Sequence, residues 1–217
     1  MIDAVRGRRA RLLIALAGAV AFGALAGVVR GDGYGPAWRT EAANLSACWL
    51  LVGLLPAAVL PRGSSRNVLR GALVGLLATL LALTAFYAVQ TAFLYGQLRG
   101  DGPWARFLYE ARANRVYFAF GCVTGPLTGA LGAVLARRWL PVACGLVLAG
   151  ELPLLWLLEG RPLTPRPVYY RFAVPSWPPP IVQAAVGVMV LAVGARALWA
   201  SRHSRTGDAS TSDAVSC

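Results

Sequence analysis

The chain has 217 residues, of which 57% are hydrophobic and only 14% charged, with a formal net charge of +12. An average soluble domain is roughly 25% charged, so a chain this apolar cannot cover a compact water-facing surface, and its mean hydropathy of +0.58 points the same way. An ordinary soluble fold is excluded. The positive charge comes from 21 Arg and no Lys, and it does not restore a nucleic-acid reading, because no basic stripe alternates with aromatics on a polar domain.

Six apolar segments follow in chain order: Leu12 to Val29, Leu45 to Leu60, Gly71 to about Phe93, Val116 to Ala136, Trp139 to Leu158, and Ile181 to Ala200. Each is near the length that carries a helix across about 30 Å of hydrocarbon. The bilayer core offers backbone groups no outside hydrogen-bond partner, which requires helices, and the alternating pattern of a membrane β-barrel is missing. The fold class read from the sequence is therefore an all-α, polytopic membrane bundle of six helices over residues 1–200. A polar tail rich in Ser, Thr and Asp, 201–217, follows and is expected to be disordered. The second segment is the shortest and holds Pro56, and its helix is read as reaching upstream toward Glu41–Asn44.

The first segment has two readings. A basic start, an apolar core and Ala24-Leu25-Ala26 before Gly27 fit a secretory signal. In a chain with five further apolar segments, an uncleaved first helix is the preferred one.

Arginine placement sets the orientation. With the N-terminus inside, twelve Arg lie on the inner side, among them Arg9, Arg11, Arg66, Arg70, Arg137 and Arg138, and nine lie on the outer side. Five of the nine acids, Asp32, Glu41, Asp101, Glu110 and Glu159, accompany the outer Arg. The inner loops are short and almost purely basic, where the positive-inside rule acts most strongly. Both termini are read as cytoplasmic, in the plasma membrane.

The outer connections are long. Gly102-Pro103 suits a helix start, and Trp104, Phe107, Leu108 and Ala111 then share a helical face opposite Arg106 and Glu110, as in a helix lying in the interface. The stretch from Glu159 to Pro180 holds seven prolines with Tyr169, Tyr170, Phe172 and Trp177. It reads as an extended aromatic belt at the headgroups, with a ligand lid as the alternative.

Small residues recur four apart: Gly121, Gly125, Gly129 and Ala133 in the fourth segment, and Ala15, Ala19, Gly23 and Gly27 in the first. Such faces let helix backbones approach closely in lipid. Packing within the chain is the preferred reading, and a homo-oligomer or partner face the alternative.

Charged groups inside spans carry the strongest functional signal. Glu151 is the one acid well inside an apolar segment, seven residues from its outer end, or about 10 Å deep. Pro153 follows and removes a backbone donor. Tyr87, Gln90, Thr91, Thr84 and Tyr95 in the third segment, Asn44 and Ser46 at the second, Arg115 and Tyr117 at the fourth, and Gln183 in the sixth share that outer half. These groups are expected to converge on one outward-facing polar pocket. Two roles stand for Glu151: a substrate or proton site, or a structural hydrogen bond tying its helix to Arg115 or Tyr87.

No catalytic residue set, cofactor motif or metal-ligand spacing is found. Cys48, Cys122 and Cys144 sit in apolar runs as small hydrophobes, and His203 is the single His. There is no metalloprotease motif and no Gly-rich phosphate loop.

Several stretches together resemble a family of uncharacterised actinobacterial six-helix integral membrane proteins, grouped as a domain of unknown function. They are Asn44-Leu-Ser-Ala-Cys-Trp49, Phe86-Tyr87, Gly125-Pro126-Leu-Thr-Gly129-Ala-Leu-Gly132 and Ala149-Gly150-Glu151. The chain departs from that pattern at Leu45, which separates Asn44 from Ser46, and at Ala85, where a Gly is usual. The resemblance implies six helices and singles out Asn44, Trp49, Gly125, Pro126 and Glu151. The helix number and Gly/Ala-rich first helix also resemble the substrate-binding subunits of energy-coupling-factor vitamin transporters. Three functions follow as expectations: small-solute binding or transport around Glu151, a non-catalytic accessory role with a membrane partner, or an intramembrane enzyme on a lipid or isoprenoid with Glu151 as general acid. The bilayer is the partner in all three.

Overall fold

The computed structural model describes residues 2–31, 36–60, 65–93, 102–135, 137–158 and 178–212. The described residues are helical, with no strand among them. In chain order the helices are α1 (Ile2–Arg30), α2 (Ala37–Ala43), α3 (Ser46–Ala57), α4 (Ser65–Phe93), α5 (Pro103–Ala113), α6 (Arg115–Val134), α7 (Leu140–Leu158) and α8 (Pro178–Ser212), with a single 3₁₀ turn (Arg137–Trp139) before α7. The proline-rich stretch 159–177 and Tyr95 lie outside the described residues.

Five helices are long and apolar enough to cross a membrane: Arg9–Arg30, Ser65–Phe93, Arg115–Val134, Arg137–Leu157 and Pro178–Ser201. This is a multi-pass membrane protein. Its surface carries large apolar side chains that water would penalise and lipid accepts, such as Leu13, Leu127, Trp156 and Val193, all more than half exposed. The second segment of the sequence reading is a different object. It forms a 12-residue helix, α3, about 18 Å long at 1.5 Å per residue, preceded by the seven-residue α2. The helix does not continue upstream because the chain breaks at Asn44 and Leu45, whose φ/ψ values of −106°/9° and −57°/113° leave the helical path. At the other end, α8 runs to Ser212, so the helix continues into the stretch that the composition marks as a polar tail, as propagation at one bond per residue allows.

Small residues decide how the long helices meet. A Cβ added at Gly129 would press on the backbone of Gly71 and Gly75, and one at Gly125 would lie 3.0 Å from Gly75 O. The Gly121/Gly125/Gly129/Ala133 face of α6 is thus seated, antiparallel, on Gly71, Gly75 and Thr79 of α4 within the same chain. Gly23 and Gly27 of α1 meet the backbones of Ala82 and Phe86, which makes α1 parallel to α4. Gly145 on α7 and Gly187 on α8 do the same for an antiparallel α7–α8 pair. The α7–α8 hairpin reaches the rest of the bundle through α3 and α2.

Helix ends are closed by local chemistry. Gly31, at φ 65°, donates its N–H to Gly27 O at 3.1 Å and ends α1; glycine takes this left-handed conformation without a Cβ penalty. Arg39 reaches back from α2 to Val29 O (Nε, 2.7 Å) and Val28 O (Nη2, 3.2 Å), covering carbonyls that the helix end leaves open. α5 begins at Gly102 with Pro in its first turn, as the sequence suggests. Its faces differ from the expected ones. Arg106 is buried while Trp104 is 69% exposed and Leu108 sits at the surface, because at the rim of a membrane bundle lipid can take the apolar side chains.

Candidate functional site

Helix α3 starts inside the bundle without a side-chain cap of its own, since Leu45 stands at the N-cap. The first N–H groups of any helix lack intrahelical acceptors, and here Glu151 of α7 supplies them. Its Oε1 accepts the Ser46 N–H at 2.6 Å and its Oε2 the Ala47 N–H at 2.9 Å. Oε2 also accepts Gln183 Nε2 of α8 at 2.7 Å. The carboxylate is buried, 7% exposed, and sits at the positive end of the α3 dipole, which favours a negative charge there. Gln183 closes the network: its Nε2 lies 3.3 Å from Leu148 O, and its Oε1 accepts from Cys48 Sγ at 3.2 Å. Three helices are joined by one polar cluster whose donors and acceptors match. The structural tie is the role this geometry favours for Glu151, made to α3 and α8 rather than to Arg115 or Tyr87.

Beside that cluster, α3, α4 and α6 enclose a cavity of about 440 Å³. Its polar wall is Asn44, Ser46, Thr79, Tyr87, Tyr117 and Thr124, and its apolar wall includes Trp49, Leu83 and Phe86. Tyr117 and Phe120 are exposed where the cavity opens past α6. An aromatic row that includes Trp49, Phe86 and Tyr87 of its wall crosses the bundle. Phe22 of α1 packs edge-on to Trp49 of α3 (5.2 Å), Trp49 to Phe86 of α4 (5.7 Å), Phe86 to Tyr87 (5.0 Å), and Tyr87 stacks on Phe118 of α6 (5.4 Å). Trp49 Nε1 donates to Ala43 O at 3.0 Å, so the same ring pins the α2–α3 break.

The predicted pocket residues therefore divide. Glu151 and Gln183 belong to the α3 cap; Asn44, Tyr87 and Tyr117 line the cavity; Ser46 belongs to both, because its N–H binds Glu151 while the residue forms cavity wall. Gln90 and Thr91 are engaged elsewhere: Gln90 Nε2 donates to Gly27 O at 2.7 Å, tying α4 to α1, and Thr91 Oγ1 donates to Tyr87 O of its own helix at 2.8 Å. Thr84 and Arg115 lie in a separate surface groove with Arg112 and Phe107. Sequence reasoning missed the Cys48–Gln183 contact and the aromatic row. Trp49 was the available signal, an indole N–H in an otherwise apolar segment that needs a buried acceptor. Among the described residues no group of three or more His, Cys, Asp or Glu could hold a metal ion.

Comparison with protein-family models, with curated proteins and with solved structures finds no match to this chain. The site's chemistry carries the functional reading alone.

Proposed function

We propose that this protein binds a small, mostly apolar solute bearing one or two hydrogen-bonding groups in the cavity between α3, α4 and α6, as a binding or transport component of the plasma membrane. The observation that carries this reading is the cavity itself. Its 440 Å³ falls in the range of about 300–1,000 Å³ typical of small-molecule sites, with the usual mix of apolar wall and few polar groups. A second observation favours movement over static storage: the non-helical junction between α2 and α3 borders the cavity at Asn44, and breaks between half-helices border many transporter substrate sites. In this reading α2 and α3 together make a sixth crossing, both termini face the cytoplasm, and Glu151 positions the cavity wall through Ser46 without touching solute. The use of Glu151 as a general acid draws no support, since both oxygens already accept N–H bonds. Membership of the six-helix family named above is part of the same proposal.

The test is thermal unfolding of the purified protein against a panel of amphipathic metabolites, since a bound solute raises apparent stability by mass action. Thr124→Trp supplies the control: Thr124 lines the cavity, and among the described residues its hydroxyl bonds its own helix, at Phe120 O. At least one compound should stabilise the wild type and lose that effect in Thr124→Trp. A panel without effect, or equal stabilisation of both proteins, sinks the reading.

A further inference from the structure

At the end of the bundle opposite Asn44, α1, α3 and α7 part to leave a groove of about 450 Å³. Its rim carries Arg11 of α1 and Arg137 of the turn before α7, and its floor is apolar, formed by Ile14, Leu55, Val59 and Leu140 among others. Both arginines are exposed, and neither has a hydrogen bond or ion pair among the described residues. The groove exists because α3 ends at Ala57, leaving the flanks of α1 and α7 uncovered beyond it.

We infer that this groove seats one anionic phospholipid of the bilayer, its phosphate between Arg11 and Arg137 and an acyl chain along the floor. Charge complementarity selects this occupant. Among residues whose side chains are described, this end of the bundle carries Arg9, Arg11, Arg66, Arg70, Arg137, Arg138 and Arg196 and no acid. A zwitterionic phospholipid would bring a phosphate but also a quaternary ammonium, whose positive charge offsets the attraction to two guanidinium groups at the rim. A free phosphate would satisfy the rim but leave the apolar floor empty. Arginine matches a phosphate with forked, charge-assisted donors, and basic pockets between spanning helices recognise such headgroups. The contrasting groove at the other end places Arg112 and Arg115 over Phe107 and Phe118, but Glu110 and Glu41 share that end, so its field is mixed. The assignment does not depend on what, if anything, occupies the cavity near Tyr87.

The experiment is lipid binding to the full chain in nanodiscs of dioleoyl phosphatidylcholine doped with dioleoyl phosphatidylglycerol, followed by native mass spectrometry, with inorganic phosphate as a separate arm. The wild type should retain one phosphatidylglycerol per chain. From the attraction that each arginine adds near a membrane surface, Arg11→Gln or Arg137→Gln should weaken retention roughly fivefold and the double variant roughly thirtyfold. Arg112→Gln/Arg115→Gln should leave it unchanged. Ala15→Phe, which fills the groove from its α1 wall, should abolish retention with both arginines present, and it serves as the readout should the double variant not fold. Equal retention by Arg11→Gln/Arg137→Gln and the wild type, no preference over phosphatidylcholine, or displacement of the lipid by inorganic phosphate at millimolar concentration each overturns the proposal.

Discussion

The carboxylate of Glu151 on α7 accepts the backbone N–H of Ser46, 105 residues earlier in the chain, at 2.6 Å, and so begins a helix to which it does not belong. Ordinarily the residue before a helix supplies the cap. Here Leu45 occupies that place, and the acceptor arrives from another helix. The α3 N-terminus and the α7–α8 hairpin are consequently one unit: moving either leaves both a buried carboxylate and two amide donors without partners. Ser46, one of the two capped residues, also borders the cavity between α3, α4 and α6, so the cap helps to set the shape of the candidate site.

Replacing Glu151 by Gln should destabilise the protein by about 2–4 kcal/mol, because the amide retains one acceptor and turns donors toward the Ala47 and Gln183 N–H groups. Glu151→Ala should cost at least as much. Adding Gln183→Glu to Glu151→Gln returns a carboxylate to the cluster from α8, so the double variant should be more stable than the two single effects summed. Thermal unfolding in a single detergent reads the wild type and the four variants, Gln183→Glu alone included, and strict additivity would mean that the two side chains are not coupled.

Glycine positions should separate cleanly into two kinds. Gly75→Ala and Gly129→Ala place a methyl against backbone across the α4–α6 contact, and overpacking of this kind costs about 1–3 kcal/mol. Gly18→Ala and Gly150→Ala meet nothing within 4 Å and should be neutral or stabilising by up to about 1 kcal/mol through helix propensity. Gly150 is a sharp control because it adjoins Glu151. Unfolding midpoints of the four variants check the order.

Gln90→Leu removes the 2.7 Å bond from α4 to Gly27 O. That carbonyl keeps the Gly31 N–H, so no acceptor is orphaned, and the loss should stay near 1 kcal/mol. Ligand-dependent stabilisation, measured alongside, should be unaffected, since Gln90 does not line the cavity.

At the end of α1, Gly31→Val should be more harmful than Gly31→Asn. A β-branched residue at φ 65° pays a left-handed penalty of about 1–2 kcal/mol that Asn partly escapes. Arg39→Gln should add a separate loss by uncovering Val28 O and Val29 O. Unfolding midpoints of the three variants check the order.

Much of the architecture was legible in the residues. The long apolar runs are helices because lipid leaves backbone groups no other partner, and five of them are long enough to cross. The four-residue spacing of small side chains in α6 anticipated a close helix contact, and Gly71 and Gly75 of α4 are the surfaces it meets. Glu151 stood out as an intramembrane carboxylate, but its partners did not, since backbone amides have no signature in a list of side chains. Gln90 and Gln183 looked alike by depth and polarity. Only the neighbouring helix distinguishes them: Gln90 faces a carbonyl of α1, and Gln183 faces a carboxylate.

The apolar runs, their approximate number, the basic short loops and the isolated acid were determined by the sequence itself, because transfer of a segment into hydrocarbon depends on its own side chains. The break at Asn44–Leu45, the short α3 and the division of the polar residues between a helix cap and a cavity were decided by tertiary structure. Each depends on which groups face one another across helices. In a medium without water, that facing alone decides whether a buried donor or acceptor finds its partner.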